Sequence, residues 1–357
     1  MSTELNKEPD YLEEYKQKSE TKKKKSFLKP LLITLLVVVI LGGLAFGCYY
    51  LLSNGIVSIS FGESTQTRST ENKTDDETDK HFDFIATQIR SGKVNVEEVT
   101  MFFSENDAKT IRKKAGLVDF ADKSLERIVR QKIEKSFGHI FIEDVQSITS
   151  LSAENAEINN LDGIQYFSAL TELNLSGNVI ENLSPLSELG QLEILNLSNN
   201  KISNIGSLQK LMKLRQLNLN NNYLVDVYAL GTLTNLNQLY LGGNYIKALE
   251  GLSSLSSLKQ LELFDNSIED ISAIAALGSL ESLNLNDNTI TDITALGTLT
   301  SLKELYLADN QVSSITTIGT LTGLTTLDVY DNLITDITVI KNLRNLKETK
   351  TERNPVK

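Results

Sequence analysis

Four aspartates recur at intervals of 22 residues in the second half of this 357-residue chain, and their spacing could support binding chemistry. They are Asp265, Asp287, Asp309 and Asp331. If consecutive units stack like neighbouring β-strands, the four carboxylates lie one above another about 4.8 Å apart. Such a row could bind Ca²⁺ or a basic partner, but aspartate also stabilises tight turns by bonding its own backbone. We favour the turn role, predict no bound metal or cofactor, and expect the charges mainly to produce a negative field that steers a basic ligand.

Aromatic and acidic side chains accompany these aspartates in the same repeated units. The residues that alternate with the inward leucines of each predicted strand point outward. Two outward positions follow the first strand leucine of each unit. In the first three units they carry small polar residues, whereas several later units carry Tyr, Phe or Glu there. Exposed aromatic side chains anchor interfaces because they bury a large area while few rotatable bonds become fixed. We therefore predict a protein-binding or peptide-binding surface. Its candidate residues are Tyr240, Glu262, Phe264, Asp265, Asp287, Glu304, Tyr306, Asp309, Asp328, Tyr330 and Asp331.

Residues needed for most enzyme chemistry are scarce. The chain has one cysteine, Cys48, and two histidines, His81 and His139, so a disulfide within the chain and a Cys/His zinc site are both excluded. A Ser-His-Asp triad would have to use one of those histidines, and both precede the repeats. The net charge of −11 argues against a nucleic-acid partner. We predict that the protein is not an enzyme and does not bind nucleic acid.

The units that position these side chains are defined by an asparagine that returns every 22 residues. Leu280 to Leu296 shows the full frame, L-x-x-L-x-L-x-x-N-x-I-x-x-I-x-x-L, which is typical of leucine-rich repeats. One such unit, or coil, cannot bury its own apolar edge, so coils must stack. The amide of each asparagine both donates and accepts, which predicts a structural role in satisfying backbone groups. The eight asparagines are Asn178, Asn200, Asn222, Asn244, Asn266, Asn288, Asn310 and Asn332. The predicted fold class is an α/β repeat solenoid.

A helical cap is predicted before the repeats, over residues 118–147. Its apolar residues fall on one face of a helix, with Asp122 as N-cap and Gly138 as the stop. A solenoid needs such an element to cover the open apolar edge of its first coil. Repeats are predicted over 148–345, beginning with an atypical coil in which Ala156 replaces asparagine. The apolar residues of the cap helix are Leu125, Ile128, Val129 and Ile133.

The last coil, residues 346–357, is degenerate. Thr349 and Thr351 stand where strand leucines are expected, although Asn354 keeps the spacing. Polar residues on a closing coil are what a C-terminal cap requires.

A transmembrane helix is predicted over Leu31–Leu52, which contains no charged residue. As a helix its 22 residues span about 33 Å, which matches a hydrocarbon core of about 30 Å. A cleaved signal peptide usually has a shorter apolar run. A lipoprotein signal ending at Cys48 is the other alternative, although Phe46 is bulky for a lipidation site. We favour an uncleaved anchor.

The charges that flank this segment predict its orientation. Eight lysines precede it, whereas the 20 residues after it contain only one basic residue, Arg68. The positive-inside rule therefore leaves residues 1–30 in the cytosol and the repeats outside. Residues 53–80 read as a disordered acidic linker, and residues 81–117 as a stalk of short helices that is too short for an ordinary catalytic domain.

From the cap onwards the chain resembles the internalin-type repeat domains of Gram-positive bacterial surface proteins. The resemblance covers residues 118–357 and rests on a helical cap followed by SLSAENAEINNLDGIQYFSALTELNLSGNVIENLSPL and on repeats that end in ITDITAL. It implies a curved, right-handed solenoid with a concave protein-binding face of parallel strands and 3₁₀ turns on the convex side. The immunoglobulin-like domain and wall-sorting motif of many internalins are not found in this sequence, so we expect the N-terminal helix to supply the anchorage. The repeats also resemble intracellular phosphatase-regulating proteins, but the lysine-flanked segment argues against that compartment.

These features together predict a single-pass protein of the cell membrane whose extracellular repeats serve recognition or adhesion. The predicted partner is a protein or peptide, with a basic one favoured by the acidic repeats: residues 141–340 contain 23 Asp and Glu against 7 Lys and Arg. The alternatives are an envelope-organising or glycan-binding spacer and a regulatory subunit of a membrane signalling complex. The identity of the ligand and the oligomeric state stay open.

Overall fold

The computed structural model describes residues 75–357. The predicted tail (1–30), the predicted transmembrane helix (31–52) and residues 53–74 of the predicted linker lie outside the described residues. Within residues 75–357, none of the helices combines the length and apolar character that a membrane crossing demands. The chain divides into two compact units, the first ending at Gly116 and the second running from Leu117 to Lys357.

The described part of the first unit is helical, with α1 over Asp75–Arg90, α2 over Val96–Thr100 and α3 over Glu105–Lys114. Asn95 and Ser104 cap the second and third helices by accepting backbone N–H bonds. A small apolar core forms between them. Its buried residues are Ala86, Ile89, Val96, Ile111 and Ala115.

The predicted linker boundary is wrong, because α1 begins at Asp75 and takes in the last six residues of the segment 53–80. One interaction explains the extension. The Lys114 ammonium lies 2.9 Å from Asp79 and 2.6 Å from Asp83, which joins α1 to α3.

The second unit opens with the predicted cap, built from α4 (Lys123–Lys132) and α5 (Ile142–Val145). Asp122 is confirmed as the N-cap of α4, accepting the N–H groups of Ser124 and Leu125. Its other carboxylate oxygen accepts the Asn159 N–H at 2.9 Å, which ties the cap to the first coil.

Gly138 is not the stop of α4, which ends six residues earlier at Lys132. Glu134 takes a left-handed conformation, with φ of 54°, and the Arg130 side chain donates to the Lys135 and Gly138 carbonyls beyond the helix. These bonds satisfy carbonyl groups of the connecting loop, so the chain leaves the helix early.

Between Leu117 and Lys357, ten three-residue strands form one parallel sheet in which each strand pairs with the next along the chain. The register is a constant 22 residues, as in Leu173↔Leu195 and Leu283↔Leu305. The strands are β1 (Ser150–Ser152), β2 (Glu172–Asn174), β3 (Ile194–Asn196), β4 (Gln216–Asn218), β5 (Gln238–Tyr240), β6 (Gln260–Glu262), β7 (Ser282–Asn284), β8 (Glu304–Tyr306), β9 (Thr326–Asp328) and β10 (Glu348–Lys350). The degenerate last coil therefore still extends the sheet.

A 3₁₀ segment follows each of the first nine strands, as expected from the resemblance. Rows of buried leucine and isoleucine fill the space between the strands and the 3₁₀ segments, and they form one continuous core from the cap to Leu343. The leucine-rich-repeat solenoid with a helical cap is thus confirmed. The 3₁₀ segments are Ile164–Tyr166, Ser184–Glu188, Gly206–Lys210, Tyr228–Thr232, Glu250–Ser254, Ser272–Ala276, Thr294–Thr298, Thr316–Thr320 and Thr338–Asn342.

Candidate recognition surface

The asparagine ladder fixes each coil to the one before it. The Asn288 amide nitrogen donates to the carbonyls of Leu285 and Asn286 in its own coil and of Leu263 in the preceding coil, while its oxygen accepts the Ile268 N–H at 3.0 Å. The same bonds recur from Asn178 to Asn354. The predicted structural role is confirmed, and the ladder supplies a rigid base for the outward side chains.

The aspartate column occupies a turn that requires a left-handed backbone. Its four members have φ between 47° and 55°, a region in which Asn and Asp are enriched among residues with a side chain. The four residues do lie in a turn, but within residues 75–357 none of their carboxylates bonds the adjacent backbone as predicted, so the left-handed conformation is what favours aspartate there. Every coil has a positive φ at this position, and its occupants in the other coils are Asn155, Gly177, Asn199, Asn221, Gly243 and Arg353. This Asn/Gly/Asp column was the sequence signal that would have predicted the conformation.

The charges in this column are unequal. Asp331 is paired with Arg353, whose guanidinium lies 3.0 Å from it. Asp265, Asp287 and Asp309 make no ion pair with any described residue, and the pKa of Asp287 is raised, first by partial burial and then by the neighbouring carboxylates of Asp309 and Asp265. In the described part of the chain no three His, Cys, Asp or Glu side chains form a group able to hold a metal ion. The negative field is therefore strongest in the middle of the column.

A first cluster lies on β5 and β6 and just after β6, where Tyr240, Glu262 and Phe264 are each half-buried. The Phe264 ring lies directly over Gly242 of the preceding coil, where a Cβ would clash with it. The Tyr240 hydroxyl donates to the Gln260 side chain at 3.2 Å. Burial, followed by the nearby Glu262 charge, raises the pKa of Tyr240. Tyr240 and Glu262 are paired across neighbouring strands, as the repeat spacing predicts, and the Tyr240 and Phe264 rings are less exposed than expected.

A second cluster lies on β8 and β9 and includes one wrong prediction. Asp328 is only 5% exposed, and its carboxylate accepts the Tyr330 N–H at 3.1 Å and the Lys350 ammonium at 2.8 Å. It was expected to be an outward binding residue, but the basic last coil neutralises and covers it. The Lys350 pKa is raised by this hydrogen bond.

Glu304, Tyr306 and Tyr330 complete the second cluster. Glu304 accepts the Ser282 hydroxyl at 2.9 Å, and the pKa of Tyr306 is raised by burial and then by Glu304. The Arg353 guanidinium lies 5.3 Å from the centre of the Tyr330 ring, within the range of a cation–π contact. Part of this cluster is thus already occupied by the chain's own basic residues.

Four exposed apolar residues outside the strands were missed, because the prediction covered only the strands and the three residues that follow each of them. We call Tyr223, Val225, Tyr228 and Tyr245 the flank patch; they are 49%, 57%, 75% and 57% exposed. Tyr223 and Tyr245 stack with ring centres 6.2 Å apart. The signal was available in the sequence, since Val225 and Tyr228 interrupt columns that are otherwise polar or glycine.

Comparison with known proteins identifies the repeats. Family models described as leucine-rich repeats match between residues 191 and 345 and at 169–183. An internalin (inlF) from Listeria monocytogenes is similar in structure with a TM-score of 0.65 and 35% identity, over 66% of this chain and 70% of that one. The chain belongs to the internalin family. No curated protein sequence matches it significantly.

Two further solved structures resemble this internalin. Internalin C2 from Listeria monocytogenes has a TM-score of 0.55 and 33% identity, over 57% of this chain and 92% of that one. The leucine-rich-repeat ectodomain of the Arabidopsis thaliana receptor kinase GASSHO1/SCHENGEN3, solved in complex with CASPARIAN STRIP INTEGRITY FACTOR 2, has a TM-score of 0.54 and 28% identity. The match covers 59% of this chain and 28% of the plant chain.

Proposed function

We propose that this internalin is a membrane-anchored, extracellular recognition protein whose later strands bind a basic protein or peptide. The binding surface, which we call the strand face, comprises the outward side chains of β5 to β9 together with Phe264 and Tyr330, which follow β6 and β9, and Asp265, Asp287 and Asp309. The protein acts by binding and not by catalysis. The plant receptor ectodomain, which was solved in complex with another factor, supports a recognition role for such a repeat array.

One internal arrangement carries the proposal. Arg353 places its guanidinium 3.0 Å from Asp331 and over the Tyr330 ring, so the chain itself shows how a basic side chain fits this surface. Phe264 and Asp265 repeat the same pair of groups three coils earlier. There, the position equivalent to Arg353 is Asp287, another carboxylate. An arginine from a ligand could pair with Asp265 and lie over the Phe264 ring, as Arg353 does with Asp331 and Tyr330 in the last coil.

Electrostatics favour a basic ligand at the same place. The three carboxylates without ion pairs are stacked, and their repulsion is one reason the pKa of Asp287 is raised. A cationic ligand relieves this repulsion when it binds, so the free energy of binding includes a term that weakens as salt screens the charges.

Binding is tested by a crosslinking pulldown from intact cells, with the full chain as bait. Tyr306→Ala combined with Tyr330→Ala, and separately Phe264→Ala, should lose the captured partner, because interface energy is concentrated in aromatic anchors. Asn196→Ala, on the polar early part of the sheet, is the matched control and should bind normally. Capture that is unchanged in both aromatic variants would place the binding surface elsewhere.

Membrane anchorage is a separate part of the proposal and is supported by the uncharged segment Leu31–Leu52 with its preceding lysines. Protease treatment of intact cells should remove the repeats and leave a membrane-bound N-terminal fragment. Repeats that stay protected until the cells are lysed would contradict the proposed orientation. A glycan array distinguishes protein recognition from the alternative role as a glycan-binding envelope spacer.

A further inference from the structure

The flank patch departs from the pattern of the repeat around it. In the other full coils, the residues equivalent to Val225 and Tyr228 are polar or glycine. Stacking of coils therefore does not require an apolar side chain at either position. Both replacements occur in one coil, next to the stacked Tyr223 and Tyr245 rings. The equivalents of Val225 are Glu181, Ser203, Lys247, Glu269, Thr291, Ser313 and Thr335, and those of Tyr228 are Ser184, Gly206, Glu250, Ser272, Thr294, Thr316 and Thr338.

Two unpaired lysines border the patch. Lys201 is the equivalent of Tyr223 in the preceding coil, and Lys247 is the equivalent of Val225 in the following coil. Of the seven basic residues between 141 and 340, these two alone make neither an ion pair nor a side-chain hydrogen bond with the residues described. The other five are engaged by side chains of neighbouring coils: Lys210 by Glu188, Lys213 by Gln191, Arg215 by Glu193, and Lys259 and Lys303 by Glu281.

The backbone beneath the patch is held by extra contacts between its two coils. Asp226 and Ala248 form a parallel bridge outside the main sheet, and the Lys247 N–H donates to the Val225 carbonyl at 3.3 Å. Gly251 is buried against the backbone of Tyr228, where any Cβ would clash. A surface that is already ordered loses little conformational freedom on binding.

We propose that the flank patch is a second binding surface, distinct from the strand face, and that it takes an acidic protein segment. An apolar side chain of that segment packs on the tyrosine pair and Val225, while its carboxylates pair with Lys201 and Lys247. Because the two lysines are two coils apart and two positions apart along the coil, the carboxylates should be separated by about 12 Å, roughly three to four residues of an extended peptide. A glycan would gain no hydrogen bond from the Val225 side chain, which favours a peptide.

Lys201 and Lys247 distinguish this surface from the strand face, so a single internalin molecule could hold two different partners. Two exposed carboxylates, Asp226 inside the patch and Glu250 in the following coil, balance the charge of the two lysines. The acidic repeats as a whole repel an acidic segment, and only the two unpaired lysines offset this locally. Binding should therefore depend strongly on both lysines and weaken as salt increases.

The test uses the full chain in mild detergent and a random peptide display library. Selection on wild type is followed by comparison with a flank variant that combines Tyr223→Ser and Tyr245→Ser with Lys201→Glu and Lys247→Glu. All four side chains are exposed, and circular dichroism checks that the variant keeps its fold. Lys213→Glu is the matched charge control and Phe264→Ala the control for the strand face.

The expected peptides carry Asp or Glu beside aliphatic or aromatic residues, and they bind the flank variant about tenfold or more weakly than wild type. Lys213→Glu and Phe264→Ala should bind them normally, so this result is independent of the function proposed for the strand face. The proposal is overturned if no selected peptide distinguishes wild type from the flank variant, or if those that do are neutral or basic. It is also overturned if a glycan array shows that the patch binds an anionic glycan while the peptide library yields nothing.

Discussion

Replacing Asn288 by aspartate or by alanine tests how the coils are held together. Asn288 is 8% exposed, and its amide nitrogen makes three hydrogen bonds to backbone carbonyls, at 2.9, 3.1 and 3.1 Å. Its oxygen satisfies the N–H of Ile268, a residue with no exposed surface. Alanine removes all four bonds, whereas aspartate keeps the acceptor and places a second oxygen against three carbonyl oxygens.

The expected destabilisation follows from these partners. A buried N–H left without an acceptor costs about 1–3 kcal/mol. A carbonyl that loses the Asn288 amide costs less when its other lone pair still accepts a hydrogen bond. We therefore expect Asn288→Ala to lower the free energy of unfolding by about 2–4 kcal/mol. Asn288→Asp should cost at least as much at neutral pH, because a buried carboxylate faces other oxygens without a cation. Asn354→Ala removes equivalent bonds at the more exposed last coil, where water can replace them, and should cost about half as much.

The pH dependence distinguishes the two variants of Asn288. Burial and the carbonyl oxygens should raise the folded-state pKa of the new carboxyl above its unfolded value. The folded aspartate variant then binds a proton more tightly than the unfolded one, so its stability relative to the alanine variant improves as pH falls through that pKa. Once protonated, the carboxyl can donate one hydrogen bond again.

Urea unfolding of the full chain, followed by circular dichroism at several pH values, measures these differences as shifts in midpoint at constant slope. The reasoning is refuted if Asn288→Asp equals wild type at neutral pH, or if acidification widens the gap between the aspartate and alanine variants.

Three further perturbations test the surface. Gly242→Ala should displace the Phe264 ring and weaken binding at the strand face, while changing the free energy of unfolding by less than about 1 kcal/mol. Pulldown measures the binding and thermal unfolding measures the stability. Normal binding would show that the position of this ring is unimportant. Lys350→Ala leaves the buried Asp328 carboxylate with one hydrogen bond and should lower the urea midpoint at neutral pH. Because the Lys350 pKa is raised, the stability due to the pair is present at neutral pH and is lost as pH rises through that pKa, and a flat alkaline profile in urea unfolding would contradict this. Asp287→Asn should stabilise the protein by a few tenths of a kcal/mol at neutral pH and low salt, because it removes the repulsion between neighbouring carboxylates. The gain should shrink in high salt and at acid pH, where the raised pKa of Asp287 lets the wild-type carboxyl take up a proton. Equal stability of the two proteins at low salt would contradict this.

The fold could be predicted from the sequence because the same buried and hydrogen-bonding residues recur at the same position in many coils. A buried leucine or asparagine at one position is weak evidence, but a fixed interval of 22 residues fixes the register between all neighbouring strands. The errors lie outside the repeats. The early end of α4 depends on bonds from Arg130 to loop carbonyls, and the early start of α1 depends on Lys114, which is distant in sequence.

The candidate surface was predicted less completely, because exposure depends on what neighbouring coils contribute. Asp328 has the alternation of an outward residue, yet Lys350 from the next coil covers it. The position of Phe264 over Gly242 likewise depends on two coils together. Tyr223 and Tyr245 were missed because the alternation of outward residues was followed only along each strand and for three residues after it, and most of each coil lies beyond that.

A repeat provides its own reference for separating backbone requirements from functional choices. Where nine of the ten coils carry Asn, Gly or Asp with a positive φ, as at Asp309, the backbone explains most of the residue choice. Where one or two coils depart from a polar column without any packing need, as at Val225 and Tyr228, the solenoid gains no stability from the change. Exposed apolar area in such a place costs solubility. These departures, rather than the acidic column itself, are therefore the strongest indication of where this internalin meets other molecules.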